Sequence, residues 1–380
     1  MITHKKSIRH PRIVIIDLKT KQKSNIRHQP FDKVTIGEPL LNGGVFPYST
    51  VSGIVKSIER KAQTLHITIE NDRKDTVYSK LQNFNTKTMI ERYHQTALTL
   101  ESLYTKSPQN LIVMSYFFNE PFVSVYPGFI LEHQTPISAA LSFLKTTYGF
   151  KKIIVLVSEH VPSHIEEAIK DIDSDIQLKS VDLQNTPHHM TESINLYANQ
   201  ALYNAQPYNF LTIDSLIQMA EIIKHHRPPT LNYVVFSGDL VRQPSIIEAR
   251  IGTPIIQLID LIGGLYGTLH SSVIVNEILR QKQYPAHYES LDRQIKSLHF
   301  NQTFNVDVMD CIICGACNDH CPVGIIPSRI MRYTKHGQST RFLAPFRCIE
   351  CGLCSFSCPS KIPVLDSVKK AKMSHQKRWL

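Results

Sequence analysis

Cysteine is absent from the first 310 residues of this 380-residue chain. A small secreted protein built on disulfides would carry cysteines throughout, so eight cysteines confined to residues 311–358 indicate metal binding instead. No apolar run approaches the roughly 18 residues of a membrane-spanning helix. Residues 1–12 lack the apolar segment of a secretory signal. We therefore expect a protein that is made and kept in the cytoplasm.

The composition excludes several further classes of protein. With 42% hydrophobic and 19% charged residues, the chain can bury a sizeable core, which excludes wholesale disorder, collagen-like repeats and coiled coil. The formal net charge of +10 favours binding to anions, including acidic redox partners and anionic membrane surfaces. No recognised nucleic-acid fold and no basic stretch interleaved with aromatics accompanies that charge, so we expect no nucleic acid partner.

The period of the apolar residues changes along the chain. The first 80 residues show the alternation of half-buried strands, for example at Leu65–Ile69. After residue 85, short apolar strands alternate with helical patterns, which predicts a parallel α/β sheet. A strand at Tyr233–Phe236 and a helix from Gly252 to Ile262 then predict a small α+β module. The α/β elements are strands Leu111–Met114 and Ile153–Val157, and helices Met89–Leu103, Pro136–Thr146 with Thr135 as N-cap, Ile165–Ile172 and Ile213–His225.

The eight cysteines form two copies of the motif C-x2-C-x2-C-x3-C-P. This run holds [4Fe–4S] clusters in two-cluster ferredoxins, where the fourth cysteine of each motif ligates the other cluster. Structural zinc, the alternative, favours two separated pairs of ligands. The spacing therefore predicts two clusters with crossed ligand sets. These are Cys311, Cys314, Cys317 and Cys358 for one cluster, and Cys348, Cys351, Cys354 and Cys321 for the other.

The segments that follow the two motifs look helical. Ile326–Tyr333 lies in the linker between the motifs, and Val364–Met373 follows the second motif. Helices at these positions favour the α-helical type of dicluster ferredoxin, with a compact clostridial-type fold as the alternative. This end of the chain is basic, with Lys369, Lys370, Lys372 and the pair Lys377–Arg378. These residues form either a solvated face or a docking surface for an acidic partner or anionic lipid.

Four stretches in this order resemble the C subunit of the Rnf-type ion-translocating ferredoxin:NAD+ oxidoreductase. Phe31–Leu40 with Tyr48–Ile58 is similar to its lipoyl-like barrel-sandwich segment. Asn119–Pro121 is similar to part of its α/β domain, which is related to the flavin- and NADH-binding subunit of respiratory complex I. Ser237–Asp239 with Arg250–Gly264 is similar to its β-grasp module, and the two cysteine motifs complete the resemblance.

The resemblance implies a peripheral subunit on the cytoplasmic face that exchanges electrons with redox partners in a membrane complex. It also implies four units: 1–80 lipoyl-like, 81–229 Rossmann-like α/β, 230–300 β-grasp and 301–380 dicluster ferredoxin with a basic tail. The clusters carry the chemistry, so no residue is assigned a catalytic role. The alternatives are a flavin- or NADH-dependent reductase, such as a corrinoid reductase, and a non-redox iron–sulfur binding protein.

The chain departs from this family at the nucleotide site. Phosphate binding by backbone amides usually needs a glycine-rich turn, because a Cβ would block close approach. No glycine lies between Gly53 and Gly128, and no G-x-G-x-x-G motif occurs anywhere. The stretch that follows the β module, residues 83–92, reads as a capped helix. We therefore expect neither FMN nor NAD to be bound stoichiometrically.

Overall fold

The structure is a computed structural model. It describes residues 4–18, 25–42, 46–61, 64–93, 110–114, 128–158, 161–181, 208–266, 273–275, 283–284, 290–293, 295–301 and 308–376. These residues form a mixed α/β protein with three sheets and a helical C-terminal region. The mixed α/β class predicted from the sequence is confirmed at this level.

The N-terminal sheet contains four antiparallel strands in the order β2-β5-β4-β3. Its core is fully buried and follows the predicted alternation, as Leu65, Ile67 and Ile69 show. The first strand of the chain does not join this sheet. The strands are β1 His4–Ile8, β2 Ile13–Leu18, β3 Lys33–Val34, β4 Gly53–Lys61 and β5 Thr64–Asn71.

The second sheet is fully parallel, in the order β8-β7-β6-β9. This arrangement confirms the prediction of a parallel α/β sheet, while Asn119–Pro121 lies outside the described residues. The elements are α1 Thr86–Tyr93, β6 Asn110–Met114, α2 Gly128–Glu132, α3 Gln134–Tyr148, β7 Lys152–Ser158, α4 Ser163–Lys170, β8 Ile176–Val181, β9 Tyr208–Thr212 and α5 Ile213–His225.

The predicted cap of α3 is wrong. Its N-cap is His133 and not Thr135. Pro136 therefore lies inside the first turn, where its missing N–H costs nothing because the first turn's N–H groups have no intrahelical acceptor. The predicted helix at Met89–Leu103 begins earlier, as α1, and its residues after Tyr93 lie outside the described residues.

The third sheet has the order β1-β11-β10-β14-β12-β13. The first strand of the chain runs parallel to β11, with His4 opposite Ser245. Helix α6 supplies Leu258 and Ile259 to the core on this sheet. The remaining elements are β10 Leu231–Ser237, β11 Ser245–Arg250, α6 Ile255–Leu261, β12 Val273–Val275, β13 Gln283–Tyr284 and β14 Ser297–Phe300.

Arg250 ties the N-terminal sheet to the third sheet. Its side chain is almost fully buried and donates hydrogen bonds to the carbonyls of Arg9 and Thr50 and to both carboxylate oxygens of Asp75. Burial lowers the pKa of Arg250, while Asp75 acts in the opposite direction. A buried guanidinium needs such a complete set of partners, since an uncompensated buried charge is costly.

The C-terminal region is helical. Helix α8 (Pro327–Lys335) packs against α10 (Val364–Gln376), and Ile330, Val364 and Val368 are fully buried between them and their neighbours. Residues 308–376 contain no strand, and both predicted helices are present. Within the described residues no helix has the length and apolar character needed to cross a bilayer. The helices are α7 Ala316–Asp319, α8 Pro327–Lys335, α9 Leu353–Phe356 and α10 Val364–Gln376.

Candidate metal centre

The two cysteine motifs fold as a structural repeat. In each, the residue before the second cysteine is left-handed, with φ of +60° at both Ile313 and Glu350. The glycine after that cysteine is left-handed as well, with φ of +83° at Gly315 and +88° at Gly352, and each glycine caps a short helix. A residue with a Cβ would be strained at those glycine positions. The left-handed backbone therefore explains why glycine occupies this position in both motifs.

The residue after the third cysteine of each motif caps the next long helix. The Asn318 side chain accepts a hydrogen bond from the Ser328 amide at 3.2 Å, in the first turn of α8. The Ser355 hydroxyl accepts one from the Leu365 amide at 2.8 Å, in the first turn of α10. Each bond satisfies one of the amides that a helix start leaves without an intrahelical acceptor. Each long helix is thereby fixed directly to the loop that carries its three cysteines.

The eight thiols interact in two groups. The charges that act on Cys317 come from three cysteines, Cys358, Cys311 and Cys314. Cys348 and Cys321 act on Cys351 and on Cys354, and Cys354 is also reached by Cys317 of the other group. Each group therefore contains three cysteines of one motif and the fourth cysteine of the other. The Met309 amide, which donates to the Ser360 carbonyl at 3.1 Å, also joins the start of the first motif to the end of the second.

The second group surrounds a cavity. It is partly open to solvent, and its thiols come from Cys321, Cys348, Cys351 and Cys354. The other lining side chains are apolar, among them Leu365 and Val368 of α10. No three His, Cys, Asp or Glu side chains in the described ranges are close enough to hold a single metal ion. The thiols line a space and do not converge on one point.

This donor set fits an iron–sulfur cluster. Soft thiolates in an apolar shell are the ligands that such clusters use. Burial, reinforced by neighbouring cysteines, raises the pKa of Cys351 to about 11 and that of Cys354 to about 12. Both thiols are therefore neutral near pH 7 until a metal displaces their protons.

The two groups differ in exposure. Cys348, Cys351 and Cys354 are buried, whereas Cys311 and Cys314 are exposed. The first motif is also flanked by exposed apolar side chains. Relative exposures are 60% for Val308, 59% for Met309, 66% for Ile312 and 75% for Ile313.

Two lysines of the basic tail turn towards the second motif. Lys372 donates to the Cys348 carbonyl at 2.8 Å and to the Glu350 carboxylate at 2.9 Å. Lys369 lies 3.7 Å from the same carboxylate. Lys370 is exposed, and Lys377–Arg378 lies outside the described residues. Among the described lysines of this tail, Lys369 and Lys372 thus pair with Glu350, and Lys370 faces solvent.

Comparison with known proteins supports the assignment of this region. Residues 310–362 match the family model of the 4Fe-4S dicluster domain. The C subunit of the ion-translocating oxidoreductase complex of Pasteurella multocida is 23% identical over 372 residues, covering 88% of this chain and 44% of the relative. The C subunit of the Na(+)-translocating ferredoxin:NAD(+) oxidoreductase complex of Acetobacterium woodii is 22% identical over 331 residues, covering 79% of this chain and 75% of the relative.

The chain is similar to these C subunits at low identity. The resemblance predicted from the sequence is confirmed, although the chain spans only about half the length of several curated relatives that it matches. Among solved structures it is similar to a chain of the NAD+-reducing [NiFe]-hydrogenase in the H2-reduced state, with a TM-score of 0.44 and 14% identity over 73% of this chain and 56% of that chain. A similarity with so low a TM-score and identity does not identify any functional residue of this chain.

The contacts of Glu350 and Lys372 are not predicted from the sequence. A weak signal for them exists. Lys372 follows Val368 by four residues on α10, so both lie on the helix face that meets the second motif. Nothing in the sequence indicates that Glu350 faces the same helix, because that contact depends on the left-handed conformation of the cysteine loop.

Proposed function

We propose that this chain is an iron–sulfur electron-transfer subunit that relays electrons through two [4Fe–4S] clusters, within or onto a membrane-associated oxidoreductase complex. The observation that carries the proposal is the cavity of the second group, where four thiols from both motifs line a largely apolar space. The dicluster family match and the C-subunit relatives support the same function.

The proposed ligand sets are crossed. One cluster is held by Cys311, Cys314, Cys317 and Cys358. The other is held by Cys348, Cys351, Cys354 and Cys321. The grouping of the thiol interactions supports these sets. Each cluster, when bound, accepts and releases one electron at a potential set by its charge, hydrogen bonds and exposure.

The exposed cluster site is the proposed contact for a redox partner. Electron transfer between proteins needs a cluster near the surface, and the first group is the more exposed of the two. The apolar side chains at Ile312 and Ile313 suit the core of a protein–protein interface. Electrons would then pass between this site and the buried second cluster.

The finer fold assignments belong to the same proposal. The antiparallel N-terminal sheet supports a lipoyl-like module within 1–80, and the parallel sheet supports a Rossmann-like unit within 81–229. The third sheet with α6 supports a β-grasp module within 230–300, and the four helices support an α-helical dicluster domain within 301–380. The proposal also includes a location on the cytoplasmic face of the complex, which the family resemblance implies.

Reductive titration tests this function. Anaerobically purified protein should take up about two electrons per chain, one for each cluster, from dithionite or reduced ferredoxin, with matching loss of visible absorbance. Reoxidation by an added acceptor should restore the spectrum. A protein that contains iron and sulfide but accepts no electrons from either donor would instead support the non-redox alternative.

A further inference from the structure

An ammonium group lies against the loop that carries the second group of cysteines. Lys372 is about one-fifth exposed and contacts the backbone of Cys348 directly, through the 2.8 Å hydrogen bond to its carbonyl. It extends from α10 one turn beyond Val368, which lines the thiol cavity. A positive charge is thus held beside the proposed cluster site, where solvent screens it less than at an open surface.

The Glu350 carboxylate holds this ammonium in place. Glu350 lies within the cysteine loop, and its backbone amide donates to the Cys348 sulfur at 3.3 Å. Its side chain pairs with Lys372 at 2.9 Å and with Lys369 at 3.7 Å. Two charges of opposite sign are therefore fixed next to the same cysteine.

The first motif lacks this ion pair, although Lys335 occupies the position equivalent to Lys372 in the repeat and is exposed. The residue equivalent to Glu350 is Ile313, which has the same left-handed φ but is 75% exposed. The repeat therefore carries ionic side chains at one loop and an apolar, solvent-facing side chain at the other. Packing alone does not require this difference, since both loops adopt the same backbone conformation.

We propose that Lys372 raises the reduction potential of the cluster held by the second group of thiols, and that Glu350 tempers this effect. Reduction adds one negative charge to a cluster, which a neighbouring cation stabilises and a neighbouring anion destabilises. The two clusters then have unequal potentials, which gives electron flow through the chain a preferred direction. This inference rests on the proposed function, because it needs both clusters to be present.

The test is a redox titration of the anaerobic holoprotein followed by electron paramagnetic resonance. In Lys372→Met, one of the two potentials should become more negative while the other stays unchanged. In Glu350→Gln, the same potential should move in the opposite direction, because the ammonium loses its counter-charge. Lys370→Met is the matched control, since it removes the same charge from an exposed position on the same helix and should move neither potential.

Opposite shifts distinguish electrostatic tuning from a purely structural contact. If Lys372 and Glu350 only fix the loop, both variants should lose iron or shift the potential in the same direction, and the proposal is then wrong. Equal shifts in Lys370→Met and Lys372→Met would also overturn it, by showing a nonspecific effect of net charge. If Lys372→Met fails to assemble, the sign of the Glu350→Gln shift decides. Wild-type protein without clusters would contradict the proposed function itself.

Discussion

Replacing Cys358 with alanine should remove the cluster of the first motif and leave the cluster of its own motif in place. Iron should fall from about eight to about four per chain, because one cubane loses a ligand. The physical reason is that the fourth cysteine of each motif interacts with the cysteines of the other motif. Cys358 acts on Cys317 of the other motif, and Cys321 acts on Cys348, Cys351 and Cys354.

Paired substitutions make this prediction decisive by iron analysis alone. With crossed ligand sets, Cys311→Ala combined with Cys358→Ala damages one cluster twice and should keep about four iron atoms. Cys311→Ala combined with Cys321→Ala damages both clusters and should keep almost none. If each motif instead held its own cluster, the two results would be exchanged, which would contradict the proposed ligand sets.

NADH alone should leave the visible spectrum of the purified protein unchanged, and no stoichiometric flavin should be released on denaturation. Close phosphate binding requires free backbone amides at a helix start or glycine-rich turn. In α1, the helix that follows the N-terminal module, the N-cap side chain already takes up one of the first-turn amides. The Asn85 side chain accepts from the Thr88 amide at 2.8 Å, and the Asn85 carbonyl accepts from Met89.

Addition of excess FMN followed by NADH provides the control for cofactor loss during purification. We expect no bleaching in that sample and full bleaching on addition of dithionite. Flavin at about one per chain, or rapid bleaching by NADH, would contradict the prediction. Either result would favour the flavin- or NADH-dependent reductase alternative.

Local patterns were enough to predict much of the fold. Helix α5 begins and ends where its apolar period and flanking signals indicate, at Ile213 and His225. The pairing of β1 with β11 joins residues that are far apart in the chain, and no local pattern encodes it. The helix start at Gln134 also differs from the prediction, because proline is tolerated at more than one position of a first turn.

In the candidate site, too, some features follow from local sequence and others depend on tertiary packing. The cysteine spacing predicts the residue types and the crossed sets, since each loop is local and its chemistry depends on spacing. The difference in burial between Cys311 and Cys351 depends on how α8 and α10 cover one loop and not the other. The contact between Lys372 and the Cys348 carbonyl likewise depends on tertiary packing.

Iron and acid-labile sulfide in anaerobically purified protein test the central claim most directly. Two cubanes predict about eight iron atoms and eight sulfides per chain, with little zinc. Reduction by dithionite should produce electron paramagnetic resonance signals of two interacting clusters. About two zinc ions per chain without sulfide, as expected of structural zinc sites, would contradict the account.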